Sequence, residues 1–573
     1  MTHSNKTIND RRKEVAELAA NKALETLILP SGYWFHHDLR DNFYYAIHLF
    51  AYCVDKELVN NWSEQKREHA KKISLEMITK VLSLQMKDNH DPMYGHWPLS
   101  LGTHPCEAKP NPLTVELMGC LLILFYTKYQ HELPSEMSNE CYLAIQHMYK
   151  SSVYCHPLKY NVHHGAKHAS LKLLLGHFFN DIELMEQGLY FTKQQFNHIQ
   201  QFGFKEYGSL PWFWHWIQAF TCVWEVVENS KVRNAMNEML DYLWRLRADY
   251  YLKGTWVGPH SRQLPHDVPK DHNTLLDYIQ FGDFPCPTQI VRLEGSFLFT
   301  YEVSDQIVQR AISKTEPVEI KRKIQVANVD GSVTEEMHTY VFIDPAFAVG
   351  GIWERINEYD NEQQRWDITL PLSQSNAENS VNQAFFFHPG EKYVPGDDRH
   401  ASPFGEVLYH KSTVIQMWHI PKEEKEVYSD LIGCLPIGEW YFENTCGYGR
   451  VESTYLTFQL INGYNIEKKA DRISIISPFI SNWNGVIVEA VSCKEAKIKG
   501  IQDLESFIAA VKERNHSHSC YTKRSLANGT IEKILVFYTT FQNDQLIFSI
   551  DDQSRCERVI NHQLISFNDY QIK

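Results

Sequence analysis

Apolar residues recur at helical spacing up to about Tyr251 and at alternate positions from about Gln289 onward, so the chain divides into two regions of different period. In the first region, the spacing predicts helices over Arg11–Ile28, Asp41–Val59, Gln65–Leu84, Leu113–Tyr129, Glu136–Tyr149, Ala166–Phe179, Ile182–His198, Trp212–Glu228 and Val232–Tyr251. Polar or proline-containing breaks separate them, among them Asp88–Pro112 and Phe202–Pro211. Helices joined in this way form either a bundle or a closed ring of hairpins. The long, aromatic-rich breaks favour the ring, because its inter-hairpin loops line one face and build a cleft.

In the second region, Ile320–Val326 and Thr339–Ile343 flank Asn328-Val329-Asp330-Gly331-Ser332, a hairpin with an Asp-Gly turn. Further strand-like runs are Glu406–Tyr409, Ser412–Trp418, Tyr455–Ile461, Ile473–Ile476, Val486–Ala490, Lys533–Tyr538 and Gln545–Ile550, with one clear helix at Leu504–Glu513. Short strands at this density indicate a sandwich. The expected fold is α+β and multidomain. A helical (α/α) toroid of hairpins spans 1–258, a linker rich in Pro, His and Asp spans 259–288, and a large antiparallel β-sandwich spans 289–573.

A chain of 573 residues is beyond the size at which one core stops growing, which agrees with two domains. The formal charge of -14 and the lack of a long Lys/Arg run argue against a nucleic-acid partner. No segment is apolar for long enough to span a bilayer, so no membrane partner is expected. The polar N-terminus lacks the apolar core of a secretory signal, and the cysteines are scattered without a CxxC pair, which together predict a cytoplasmic protein with reduced thiols. No metal or other cofactor is expected. His164 and His168 at i, i+4 are the nearest approach to a ligand pair, and they lack a carboxylate partner in sequence. An aromatic content of 13% fits a large core and equally a cleft that stacks sugar faces.

Titratable and aromatic residues concentrate in the breaks: Tyr33–Asp41 with His37, Tyr94–Trp97 with His96 and Trp97, Glu107 and Asn111, Tyr160–His164, Phe204–Ser209, Trp212, and Trp256–Arg262. Taken singly, each has a structural explanation. A His at a helix start caps or bonds backbone, Trp212 packs in the core, and Glu206 caps the helix after it. Taken together they are harder to dismiss, because a ring places such breaks on shared faces. His163 and His164 are adjacent, so at most one is expected to face a cleft.

With these residues in view, the chain resembles the heparinase II/III-like polysaccharide lyases, in which an (α/α) toroid precedes an antiparallel β-sandwich. The segments that carry the resemblance are Phe204-Lys205-Glu206-Tyr207-Gly208-Ser209, Gly258-Pro259-His260-Ser261-Arg262 and Gly485-Val486-Ile487-Val488-Glu489 with the helix start Leu504–Phe507. The resemblance implies an enzyme that cleaves uronic-acid-containing glycans by β-elimination. In that chemistry the sugar carboxylate is neutralised, the C5 proton is removed by a base, and the leaving oxygen is protonated. Carried over, it makes Tyr207 the base or acid and His163 or His164 a neutraliser or second base, with Glu206 beside them. Arg262 and His260 would contact an acidic oligosaccharide or polysaccharide, Asn111 is a spare neutraliser, and His37, His96, Trp97 and Trp212 line the cleft. Trp97 and Asn111 lie far apart in the chain, unlike the adjacent Trp and Asn of several lyases. A glycoside hydrolase pairing Glu206 with Asp38, Asp41 or Glu107 is the rival, and a non-catalytic sugar-binding protein is third.

Overall fold

The computed structural model describes residues 6–58, 61–206, 208, 210–258, 260, 264–265, 267–328, 331–354, 365–372, 379–515, 521–525 and 531–572. The chain forms two compact units that alternate along the sequence: Met1–Glu206, Pro211–Ala248 and His272–Arg310 make the first, and Tyr207–Leu210, Asp249–Asp271 and Ala311–Lys573 the second. The α+β class expected from the periods is what the structure shows, helices first and antiparallel sheets after.

The first unit is built from α1 (Ile8–Glu25), α2 (Leu39–Val54), α3 (Glu64–Ser83), α4 (Pro112–Tyr129), α5 (Ser135–Lys150), α6 (His163–Phe178), α7 (Ile182–Phe202), α8 (Leu210–Val226) and α9 (Ser230–Asp249). Sequence pattern sorts them into two layers. In α3 only Ala70, Ser74, Met77, Ile78, Val81 and Leu82 are buried, a single stripe at helical spacing. In α2, α4 and α6 most side chains are buried, so these helices are covered around most of their surface. The inner helices follow one another around the interior, α2 against α4 and α4 against α6. His163 of α6 stacks on Trp212 of α8, and His215 of α8 lies 3.7 Å from Glu294. Phe297 then meets His48 of α2 edge-on at 4.9 Å, which closes the circuit.

Residues 272–310 therefore pack with the helices, although the expected contiguous boundary put 259–288 in a linker and 289 onward in the sandwich. The short helix Leu275–Gln280 is wholly buried. Arg247 of α9 forks onto Asp277 at 2.6–3.2 Å, and the Trp214 indole donates to the Asn273 carbonyl. A segment that supplies partners to two helices cannot behave as a tether.

In the second unit, an eight-stranded antiparallel sheet runs from Asn465–Lys468 at one edge to Val318–Ala327 at the other, among the described residues. A six-stranded sheet runs from Gly405–His410 to Glu439–Phe442, and a five-stranded sheet covers Tyr521–Leu564. The strand Trp483–Ser492 is buried at every position because it lies in a middle layer. Val486, Val488 and Ala490 face a core shared with Phe385 and Phe387 of the eight-stranded sheet. Ile487, on the opposite side, joins Val536 and Phe548 of the five-stranded sheet. The sandwich thus has a third sheet, which explains why this run carries apolar residues on both of its faces. The helix Leu504–Arg514 adds Phe507 against Tyr455 at 4.7 Å. Glu489, in the segment that carried part of the resemblance, is buried and accepts from the Phe541 amide at 2.6 Å and the Tyr538 hydroxyl at 3.0 Å, a structural role. No helix among the described residues is long and apolar enough to cross a membrane.

Candidate active site

The interior of the helical unit collects polar groups where an apolar core would be expected, and local sequence explains how each is held. Helix α6 begins at His163, earlier than its apolar period suggested, and its N-cap residue Val162 offers no side-chain acceptor. The orphan amide of His163 is instead accepted by Glu206 Oε2 at 2.7 Å. The same carboxylate takes the His163 ring through Nδ1 at 2.5 Å and the Trp216 indole at 2.7 Å. Glu206 therefore caps the helix behind it in the chain, not the one ahead. Burial pushes His163 down to about 4, outweighing the opposing pull of Glu206, so the imidazole is neutral at neutral pH with Nε2 outside these bonds.

His164 repeats the arrangement with another acid. Its Nδ1 lies 2.8 and 3.0 Å from the Glu116 oxygens of α4. The two imidazoles are 4.1 Å apart, so neighbouring positions in the first turn of α6 do bring both rings to one place, contrary to expectation. Glu116 also receives Lys167 Nζ at 2.5 Å. Burial alone would raise the Glu116 pKa, but Lys167 and His164 hold it below its ordinary value. Burial in turn lowers Lys167.

On the facing side, Asp38 caps α2 through the Arg40 amide and grips the Arg40 guanidinium at 2.7–3.2 Å. Arg292 and Glu294 enter on a sharp turn in which Glu294 (φ 45°) and Gly295 (φ 83°) are both left-handed, a strained setting for a glutamate. Arg292 Nε lies 3.5 Å from Glu294 Oε1, while its Nη2 has no hydrogen-bond partner among the described residues. Burial pushes Glu294 up to about 7 against Arg292 and Arg40. Both nitrogens of His215 are likewise buried without a hydrogen bond among the described residues, and the neighbouring Tyr44 hydroxyl and Gln218 amide are buried beside each other. Leaving such groups dry costs on the order of 1–3 kcal/mol each, and they are chemically able to hydrogen-bond a polar molecule.

The expected residues fare unevenly. His163, His164, Glu206 and Trp212 come together, Trp212 stacking on His163 at 4.9 Å and 11°. Tyr207 and Arg262 lie outside the described residues. His260, expected to touch an acidic sugar, is fully buried in the second unit with Asp367 on Nδ1 and Asp271 on Nε2 at 2.9 Å, so neither nitrogen is available to a ligand. His37 is exposed and pairs with Asp41. Trp97 is core, its indole spent on the Val81 carbonyl, and His96 is buried with Nδ1 making no hydrogen bond among the described residues. Trp97 and Asn111, distant in sequence, are cross-strand partners, yet the Asn111 side-chain oxygen is used to cap α4. Glu116, Arg292 and Glu294 went unnoticed. A carboxylate alone in the apolar run Leu113–Leu124 was a readable signal for Glu116, since a buried acid demands a cation.

No family model matches the chain, and no curated protein matches it. Among solved structures it is similar to a heparinase III with methylated lysines, at 10% identity and TM-score 0.38, over 96% of this chain and 90% of that one. It is also similar to a chondroitinase AC lyase, at 8% identity and TM-score 0.40, over 98% and 99% of the two chains. A third is a Streptomyces coelicolor A3 chondroitin AC lyase in complex with chondroitin sulphate, at 8% identity and TM-score 0.45, over 96% and 86%.

Proposed function

We propose that the helical unit cleaves an acidic oligosaccharide or polysaccharide by β-elimination, removing the proton from the carbon that bears the uronate carboxyl. The observation that carries this reading is the neutral His163 imidazole, fixed through Nδ1 by Glu206 so that Nε2 remains as a base. The C5–H bond breaks toward a base, the C4–C5 double bond forms, and the C4–O bond breaks as its oxygen takes a proton. Negative charge builds on the uronate carboxyl in the transition state. Arg292 Nη2, without a hydrogen bond among the described residues, is a donor suited to it, with the buried Gln218 amide nearby and Glu294 a hydrogen-bond donor when protonated. Tyr207, next in the chain to Glu206, is kept as the acid, or the base with His163 as neutraliser.

Paired-carboxylate hydrolysis is less well supported. Asp38 is forked onto Arg40, Asp41 pairs with His37, Glu107 is exposed in a short turn, and Glu206 already accepts hydrogen bonds from the His163 amide, the His163 ring and the Trp216 indole. The test is a panel of uronic-acid oligosaccharides followed by the ultraviolet absorbance of the unsaturated product, repeated with His163→Ala and Tyr207→Phe. Absorbance that grows with the wild type and fails with both variants is expected. Reducing ends released without absorbance would overturn elimination.

A further inference from the structure

The second unit holds a cavity of about 300 Å³ beside the edge strand Val318–Ala327. It exists because the chain, after the strand Gln563–Leu564, returns to the eight-stranded sheet. There the Lys323 amide donates to the Gln571 carbonyl at 2.9 Å. The returning segment leaves a gap between itself, Glu319 and Lys321 on the edge strand, and the end of the strand Gly405–His410.

The floor is aromatic and rigid. Tyr340 and Tyr409 stack at 5.7 Å and 7°, and Trp353 meets Tyr409 edge-on at 4.9 Å while its indole donates to the Tyr570 hydroxyl at 2.7 Å. Tyr340 donates to Glu319 at 2.5 Å and accepts from the Lys411 amide at 2.6 Å, so its orientation is set. The rim is polar and exposed. Lys321 Nζ lies 3.3 Å from Asp569 and 3.8 Å from Glu319, one ammonium between two carboxylates, and the exposed Gln563 lies on the same wall.

We propose that this cavity binds one neutral, hydroxyl-rich sugar ring. Its volume sits at the small end of ligand sites, where a single ring fits. Carboxylates accept hydrogen bonds from neighbouring hydroxyl pairs, the Gln563 amide adds a donor and an acceptor, and the buried, mutually packed aromatic floor gives these polar groups a rigid base. Two carboxylates against one ammonium disfavour an anionic sugar, which sets this site apart from the elimination centre. The site belongs wholly to the second unit and does not depend on the elimination reading.

The test titrates the full chain with neutral monosaccharides and disaccharides and with matched uronic acids, using calorimetry and ligand-observed NMR. Neutral sugars are expected to bind at least about tenfold more tightly than the acids. Asp569→Asn and Gln563→Ala, both at exposed positions, are expected to weaken that binding about tenfold while elimination on short acidic substrates is unchanged. Three results would overturn the proposal: no neutral sugar binds, acids bind as well as neutral sugars, or both variants bind like the wild type. Loss of elimination with sugar binding intact would count only against the function proposed for the helical unit.

Discussion

His163 and His260 are both buried, 3% and 0% exposed, and both place Nδ1 on a carboxylate, yet they end in opposite charge states. His163 faces one acid, Glu206, with Lys167 and His164 nearby, and burial prevails and pushes it down to about 4. His260 meets burial just as fully, but Asp367 and Asp271 occupy both of its nitrogens and raise it to about 10. Burial alone therefore does not decide whether a histidine is a base or a fixed cation. The number of carboxylates on the ring, and the cations beside it, decide that. The first arrangement suits proton transfer, whereas the second ties His260 to Asp271 and to the strand that carries Asp367, with the Asp271 amide bonded to Asn382 just before the next strand.

The sharpest way to break the comparison is to remove each ring. His260→Ala strands two buried carboxylates and should cost about 3–5 kcal/mol in denaturant unfolding. A loss under 1 kcal/mol would show that the imidazolium is not holding them. His163→Ala should lower kcat/KM by roughly 10²–10⁴-fold, and activity that survives intact would remove it from the chemistry. pH separates the two rings next. The stabilisation from His260 is complete below its ordinary 6.5 and fades as pH rises toward about 10, because the unfolded ring has already lost its proton. That from neutral His163 is complete above 6.5 and fades as pH falls toward about 4, because the unfolded ring takes up a proton that the folded one refuses. Unfolding free energies across this range should lose their alkaline limb in the His260 variant and their acid limb in the His163 variant. A smaller effect is expected at Trp212, whose stacking steadies the His163 ring. Trp212→Leu should reduce kcat/KM by roughly 3–10-fold, the worth of one aromatic pair.

The helices were legible because each must bury a stripe or a whole surface, and the period survives in the sequence; α7 and α8 differ from expectation only at their ends. The strands were legible for the same reason, while the third sheet was not, since alternation tells which residues point together and not how many layers receive them. Within the site, His163, His164 and Glu206 stood out as polar residues in breaks. Arg292 and Glu294 did not, because their place depends on a return of the chain that no local pattern announces. His260 was misjudged for a related reason. A histidine in a loop reads as available until Asp367, more than a hundred residues on, is seen to claim it.

Asn111 offers the finest discrimination between a structural and a chemical role. Its side-chain oxygen accepts the Leu113 amide at 2.9 Å, ahead of Pro112 at the first helical position of α4, which is the helix that carries Glu116. Asp caps a helix as well as Asn does, so Asn111→Asp should keep the thermal midpoint of the wild type, whereas Asn111→Ala should lose about 0.5–2 kcal/mol. If the amide nitrogen also neutralised a uronate, the Asp variant would keep its stability and lose activity on acidic substrates by charge repulsion. If capping is the whole of its work, activity should follow stability, with Asp indistinguishable from Asn. The cap already observed favours the second outcome, and paired melting and rate measurements on the two variants decide between them.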